Sequence, residues 1–209
     1  MYRVSPLLKA VNNNHIDAVR LLLCCGANPN KLELNHIRRE SIVELLLEYG
    51  YIHHTPIINM VIEFGYIRAL NILIERGDDI NYLDFNGYSP LSNAVRNNDT
   101  TIVRLLLEHG GNKHINHIPK YGQSNMVIST QNRNIEIVKL LLDHGADPDS
   151  TKCSFATALY IAAEYGDIDI INLLIDRGAN INRKTIRGNT ALHAAYKNGH
   201  KDIVRILRQ

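Results

Sequence analysis

The ten histidines of this chain are its first candidates for chemistry, because an imidazole can bind a metal ion or transfer a proton near neutral pH. His109, His114 and His117 form the group that could bind a metal. Only two of these imidazoles are close in sequence, and no Cys or carboxylate lies between them. A zinc site needs three or four ligands. We therefore predict no metal site and no cofactor.

Five of the acidic residues recur at one position of a longer pattern, which argues against an acid–base pair. They are Glu48, Glu75, Glu108, Asp143 and Asp176. A catalytic pair would occur once, whereas recurrence at a structural period is typical of a solvated helix face. The sequence also lacks a GxxxxGK[ST] phosphate loop and the GxSxG and HExxH motifs. We predict that the protein is not an enzyme and has no catalytic residues.

The cysteines and the composition indicate the cellular compartment of the protein. Cys24, Cys25 and Cys153 form neither a disulfide framework nor a CxxC metal pair, which is typical of a reducing compartment. The 209 residues are 45% apolar, which is enough to fold. No stretch reaches the roughly 18 apolar residues of a membrane span, and no secretory leader is recognisable. We expect a monomer in the cytoplasm or the nucleus, without a membrane partner.

The elements that position these side chains come from a repeat that runs through the chain. An apolar triplet followed by Gly recurs with spacings of 24, 27, 33, 35 and 33 residues. The glycines are Gly26, Gly50, Gly77, Gly110, Gly145 and Gly178. Before Gly110, Ile102, Val103, Leu106 and Leu107 have the spacing of one helix face. A helix is predicted to end at each Gly, because Gly adopts the left-handed conformation of a helix end without a Cβ clash.

A second marker, in phase with the first, predicts another helix in each unit. We predict that a Ser or Thr opens a short helix at Ser5, Thr55, Ser89, Thr157 and Thr190, with Ser124 at the same position. Its side-chain oxygen can accept a hydrogen bond from an unpaired N–H of the first helical turn. Pro, which follows three of these residues, fits the first helical position. The turn formers between Gly77 and Gly87 predict a hairpin loop between units.

This pattern resembles the ankyrin repeat, a unit of about 33 residues with a T-P-L-H-x-A opening and a G-A-D/N-x-N end. Residues 188–195 (GNTALHAA) and 178–182 (GANIN) match it closely. The resemblance implies an all-α fold, an ankyrin-repeat solenoid of about seven helix-turn-helix units with short hairpin loops, in a single array over residues 1–209. The predicted units are approximately residues 5–30, 31–53, 54–86, 87–121, 122–154, 155–187 and 188–209. The second of these is degenerate, without a recognisable first helix.

Ankyrin repeats bind other proteins, and the resemblance implies which positions would do so here. They lie at the hairpin tips, on the first helices and at the ends of the second helices. The positions are Arg76, Leu83, Phe85, Asn86, Tyr88, Arg96, Asn97, His109, His144, Glu164, Tyr165, Arg177, Lys184, Ile186, Arg187, Lys197 and Asn198. Aromatic residues are enriched in interface hot spots, so Phe85, Tyr88 and Tyr165 are candidate anchors. The alternative for Phe85 is packing under its own hairpin.

Three further features have open alternatives. The segment 110–122 is two residues longer than its counterparts and is either a recognition element or a neutral insertion. Residues 183–209 contain seven Lys or Arg and one acid, Asp202. This basic end favours an acidic protein partner; nucleic acid or a merely solvated surface are the alternatives. Asn81 resembles the site that asparaginyl hydroxylases modify in ankyrin repeats, or else it holds the hairpin turn.

These observations favour a non-enzymatic protein–protein interaction module with one protein partner, bound through hairpin tips and the concave first-helix face. The degenerate repeats and the abundant Asn and Ile resemble the ankyrin proteins of poxviruses and other large DNA viruses. That resemblance implies a modulator of host proteins in the host cytoplasm. One alternative is a ubiquitin-ligase substrate adaptor that lacks its F-box segment. Another is a binder of nucleic acid or an acidic partner through the basic end.

Overall fold

Short α-helices joined by tight turns build the protein. A computed structural model of the chain describes residues 5–32, 37, 39–52, 57–151 and 156–208, and within these ranges it has thirteen α-helices and no β-strand. The helices are α1 (Pro6–Asn12), α2 (Ile16–Cys24), α3 (Glu40–Glu48), α4 (Ile58–Glu63), α5 (Ile67–Glu75), α6 (Pro90–Arg96), α7 (Thr100–Glu108), α8 (Asn125–Gln131), α9 (Ile135–Asp143), α10 (Ala158–Tyr165), α11 (Ile168–Asp176), α12 (Ala191–Lys197) and α13 (Lys201–Ile206). The predicted all-α ankyrin-type fold is confirmed.

The chain divides into two compact units, and the first is Met1–Asp79. In it α1 packs against α2, α2 contacts α3, and α5 packs against both α3 and α4. Val19, Ile42, Leu46 and Leu70 are fully buried in its core. The predicted helix start at Thr55 lies outside the described residues. So does most of the segment in which the degenerate repeat was expected to lack a first helix.

The second unit, Ile80–Gln209, is a stack of four helix pairs. The pairs are α6 with α7, α8 with α9, α10 with α11 and α12 with α13. The first helices contact one another in the order α6, α8, α10, α12, and the second helices in the order α7, α9, α11, α13. Leu91, Val103, Met126, Ile137 and Leu159 are among the buried side chains of these two layers. The prediction of one array over the whole chain stays a prediction.

Polar caps start the first helices at the positions that the sequence predicts. The hydroxyl oxygen accepts a main-chain N–H bond of 3.1 to 3.2 Å at Ser5, Ser89, Ser124 and Thr157. Thr190 opens α12 together with His193. The Thr190 N–H donates to His193 Nδ1 at 3.2 Å, and the Thr190 hydroxyl lies 2.8 Å from the same nitrogen. His193 therefore bonds within its own repeat.

The turn inside each helix pair of the second unit passes through one residue with a positive φ. These residues are Asn98 (57°), Arg133 (55°), Gly166 (81°) and Gly199 (76°). Only glycine adopts this conformation without a steric penalty. A side-chain bond to the next pair accompanies the two non-glycine residues. Asn134 Nδ2 donates to Asn98 Oδ1 at 2.8 Å, and the Arg133 guanidinium donates to both carboxylate oxygens of Asp167.

The link between Arg133 and Asp167 is an ion pair as well as a hydrogen bond. Its shortest distance is 2.6 Å, between Nη2 and Oδ1. The hydrogen bonds and the charge of the Asp167 carboxylate raise the pKa of the Arg133 guanidinium. Successive helix pairs are thus joined by side chains at their turns, in addition to their apolar core.

Candidate binding groove

The hairpins that precede α6 and α12 are fixed by their own hydrogen bonds. Asp84 Oδ1 accepts the N–H groups of Asn86 and Tyr88, each at 2.9 Å. In the last hairpin the Thr185 N–H donates to the Asn189 carbonyl oxygen at 2.9 Å. The Thr185 Oγ1 also accepts the Asn189 N–H at 3.3 Å. These bonds occupy the polar groups of the turns and leave the tip side chains to face outward.

Apolar side chains at the hairpin tips are exposed. The exposed fraction is 96% for Phe85, 78% for Tyr121 and 65% for Ile186. The alternative in which Phe85 packs under its own hairpin is therefore wrong, because its ring lies in solvent. Contact with a partner would remove the apolar surface of these side chains from water, which is favourable in free energy. Exposed apolar side chains of this kind are typical of interaction sites.

Three adjoining cavities run between the hairpins and the first helices of the second unit. The first, of about 370 Å³, is lined by Tyr88, Arg96, Tyr121 and Gln131. The second, of about 520 Å³, shares Tyr121 and Gln131 with the first and adds Tyr165 and Glu164. The third, of about 570 Å³, shares Glu164 with the second and extends to Ile186 and Lys197. Because neighbours share lining residues, the three cavities form one continuous concavity, which we call the groove.

One repeat position, seven residues after the cap, supplies polar side chains along the whole groove. It is occupied by Arg96, Gln131, Glu164 and Lys197. The Arg96 guanidinium lies over the Tyr88 ring, 4.6 Å from its centroid, and this cation–π contact holds both side chains in place. The row reads basic, neutral, acidic, basic, so each helix pair presents a different group to a ligand.

Seven of the residues that the sequence predicts for partner binding line the groove. They are Tyr88, Arg96, Glu164, Tyr165, Ile186, Arg187 and Lys197. Others lie on the same unit without lining it. Leu83, Phe85, Asn97, Lys184 and Asn198 are exposed, and Asn86 is half-buried. The Asn86 carbonyl oxygen accepts the Lys120 N–H at 3.2 Å, which joins the two successive hairpins.

The two predicted histidines at the ends of second helices bond to their own helices. His109 Nδ1 lies 2.9 Å from the Leu105 carbonyl oxygen, and His144 Nδ1 lies 2.8 Å from that of Leu140. Each ring thus donates to one of the last carbonyl groups of its helix. Neither histidine lines the groove.

The two predicted arginines in the same row also have local partners. Arg177 forms an ion pair with Asp143 at 2.7 Å. In the first unit, Arg76 donates to the Tyr51 carbonyl oxygen at 3.0 Å and lies 3.4 Å from Asp78. These contacts hold the side chains at the ends of the second helices in place. A role in partner binding stays a prediction for the two histidines and the two arginines.

Asn81 joins two successive loops through both ends of its side-chain amide. Its Nδ2 donates to the Gly110 carbonyl oxygen at 2.9 Å, and its Oδ1 accepts the Lys113 N–H at 3.2 Å. Asn116 makes the equivalent two bonds to the following loop, at 3.1 and 2.8 Å. A loop-holding role therefore has a geometric basis. Hydroxylation of Asn81 stays a prediction.

Sequence reasoning missed several groove residues, and the repeat register contained the signal. Gln131 occupies the same position as Arg96 but carries no charge. Tyr121 lies three residues before its cap, as Arg187 does before Thr190. Tyr160 and His193 also line the third cavity. The longer segment 110–122 thus supplies an exposed aromatic side chain to the groove, which favours the recognition alternative over a neutral insertion.

The candidate metal ligands do not come together in the described part of the chain. The rings of His114 and His117 have centroids 6.1 Å apart. No group of three or more His, Cys, Asp or Glu side chains among the described residues is arranged to hold a metal ion.

None of the helices in the described ranges is long and apolar enough to cross a membrane. Cys24 and Cys25 are exposed free thiols, and Cys153 lies outside the described residues.

Known proteins resemble this chain along most of its length. A family described as ankyrin repeats (3 copies) matches residues 57–152 and 126–209, and one described as ankyrin repeat matches residues 3–34. The B-cell lymphoma 3 protein homolog of Mus musculus is 33% identical over 130 residues. That alignment covers 53% of this chain and 29% of the relative. The chain therefore spans less than a third of the length of this curated relative.

Proposed function

Because the chain belongs to the ankyrin-repeat family, we propose that it is a non-enzymatic module that binds one protein partner along the groove. The observation that carries this proposal is the continuity of the groove over the four helix pairs of the second unit. A continuous concave surface with exposed aromatic side chains suits an extended segment or an edge of another protein.

The lining has the features of an interaction hot spot. Tyr121 and Tyr165 are exposed by 78% and 45%, and each tyrosine offers a large apolar ring with a polar end. The helices that bear the lining are short and held by caps and by bonds to neighbouring pairs. A surface that is ordered before binding loses little conformational entropy on association.

The finer function that we propose is modulation of host proteins in the host cytoplasm by a monomeric viral protein. It rests on the degenerate repeats and the Asn- and Ile-rich composition, which resemble those of poxviral ankyrin proteins. The name of the mouse relative does not state a partner, and none is transferred from it.

Paired substitutions in and outside the groove test the proposal. The groove variant combines Tyr121→Ala and Tyr165→Ala; the control combines Lys139→Ala and Asn172→Ala, two exposed positions on the second helices α9 and α11. Proteins captured by each purified chain from cell extract are compared by quantitative mass spectrometry.

We expect the groove variant to capture at least about tenfold less of its main partner protein, since hot-spot truncations cost about 2 kcal/mol or more each. The control should retain it. Equal capture by the groove variant and by the unchanged chain would contradict the proposal, provided that both have the same thermal midpoint.

A further inference from the structure

We propose that the third cavity of the groove binds an acidic peptide segment of the partner, with one apolar side chain of that segment inserted into the cavity. We call this cavity the C-terminal pocket; it lies between α10, α12 and the hairpin at residues 185–189. The inference rests on the proposed function and adds the chemistry of the partner to it.

The C-terminal pocket combines an apolar interior with a basic rim. Its volume of about 570 Å³ lies in the range of cavities that hold small ligands. Tyr160 and Ile186 supply apolar surface, and 65% of the Ile186 side chain is exposed. Arg187 from the hairpin and Lys197 from the end of α12 supply two positive charges. An apolar side chain of a ligand would be desolvated here beside these charges.

The cations at this end have few anionic partners among the described residues. Arg183, Lys184, Arg187, Lys197, Lys201, Arg205 and Arg208 are all exposed. Among the residues that the structure describes, Arg205 is the member of this set that forms an ion pair, with Asp202 at 2.9 Å. The remaining charges produce a positive potential around the pocket, which attracts carboxylates and raises the rate of encounter with an acidic surface.

The described lining of the groove has a net positive charge. Its described lining contains the cations Arg96, Lys120, Arg187 and Lys197 and the single acid Glu164. An acidic segment that enters the C-terminal pocket can therefore continue along the groove beside further cations. Glu164, on α10, disfavours carboxylates or phosphates on that side of the pocket. A peptide can place an uncharged residue there, whereas a nucleic-acid strand carries a phosphate at every nucleotide.

The test selects ligands without assuming a sequence. A phage-displayed library of linear peptides is selected on the full-length chain, and the enriched peptides are synthesised with a fluorophore for anisotropy titrations. We expect enrichment of Asp and Glu around one large apolar residue. Three variants are then titrated with the same peptides: Arg187→Glu with Lys197→Glu, Lys201→Glu with Arg208→Glu, and Ile186→Ser.

The two charge-reversal variants change the net charge equally, but only the first alters the C-terminal pocket. We expect the first to weaken binding about tenfold or more, since at two positions in the pocket reversal replaces attraction to the acidic peptide by repulsion. The second should change binding less than about threefold, because its charges lie outside the pocket and are screened. Ile186→Ser should weaken binding without altering the thermal midpoint.

Three results would overturn the inference: enriched peptides without acidic residues, equal weakening by the two charge-reversal variants, or tighter binding of a DNA duplex than of any selected peptide. The proposed function fails separately. If Tyr121→Ala with Tyr165→Ala abolishes protein capture while the selected peptides lack acids, the module stands and only the acidic chemistry is wrong.

Discussion

At the residue scale, Gly166 shows why a residue with a Cβ atom is disfavoured in the turn between α10 and α11. Its φ is +81°, and a Cβ atom there would lie 2.7 Å from Cε1 of His200. The His200 ring packs against this turn because its Nε2 lies 3.1 Å from the Glu164 carbonyl oxygen. Gly199 has a similar φ of +76°, but a Cβ atom at that residue would meet no other atom within 4 Å.

We expect Gly166→Ala to destabilise the second unit more than Gly199→Ala does. Both substitutions cost about 1 kcal/mol for the left-handed conformation. Gly166→Ala also displaces the His200 ring and its hydrogen bond, so its total should reach about 2 to 3 kcal/mol. Urea unfolding monitored by circular dichroism measures the difference.

A double-mutant cycle separates the two contributions. In a His200→Ala background, the cost of Gly166→Ala should fall to about that of Gly199→Ala, because the clash is gone. Equal costs for the two glycine substitutions in the unchanged background would show that His200 does not constrain this turn.

At the element scale, Ser124 both starts a helix and joins it to the next repeat. Its Oγ accepts the Val127 N–H at 3.2 Å and donates to the Ser150 carbonyl oxygen at 2.5 Å. Ser89, also buried, caps α6 through the Ser92 N–H and bonds to the Ser92 hydroxyl, both inside its own helix. The two serines thus differ in whether the cap reaches another repeat.

Ser124→Ala should therefore cost more than Ser89→Ala. Loss of a cap costs about 1 kcal/mol in each case. Ser124→Ala in addition leaves the carbonyl of the buried Ser150 without its partner, which adds about 1 to 2 kcal/mol. After Ser89→Ala, in contrast, the Ser92 hydroxyl can rotate to a main-chain carbonyl oxygen of the preceding turn. The measurement is the free energy of unfolding in urea, and costs that agree within error would argue that the bond to Ser150 contributes nothing.

The helix starts were predictable because their determinants are local. A hydroxyl three residues before the N–H that it caps can be read directly from the sequence, as at Ser89 and Thr157. The bond from Arg133 to Asp167 joins residues 34 apart and places a non-glycine residue at a φ of 55°. No local pattern indicates such a bond, since it depends on how successive helix pairs stack.

At the scale of the whole molecule, the family and the repeat were evident from the sequence, and the continuity of the groove was not. Arg96, Glu164 and Lys197 were predicted from their positions in the repeat, as the resemblance implies, but Gln131 and Tyr121, which line both the first and the second cavity, were not. A search by residue type does not single out Gln131, because it is neutral and its neighbours in the row are charged. The groove follows from the stacking of the second unit, in which each hairpin lies beside the next first helix.

The central claim is that a protein partner lies along the groove, and site-specific photo-crosslinking in cells tests it most directly. A photoreactive phenylalanine derivative replaces Tyr121 or Tyr165 in the groove, or Lys139 or Asn172 on the second helices. We predict that both groove positions crosslink to the same protein and that the two control positions do not. Crosslinking of that protein with equal yield from Lys139 or Asn172, or from neither groove position, would contradict the claim.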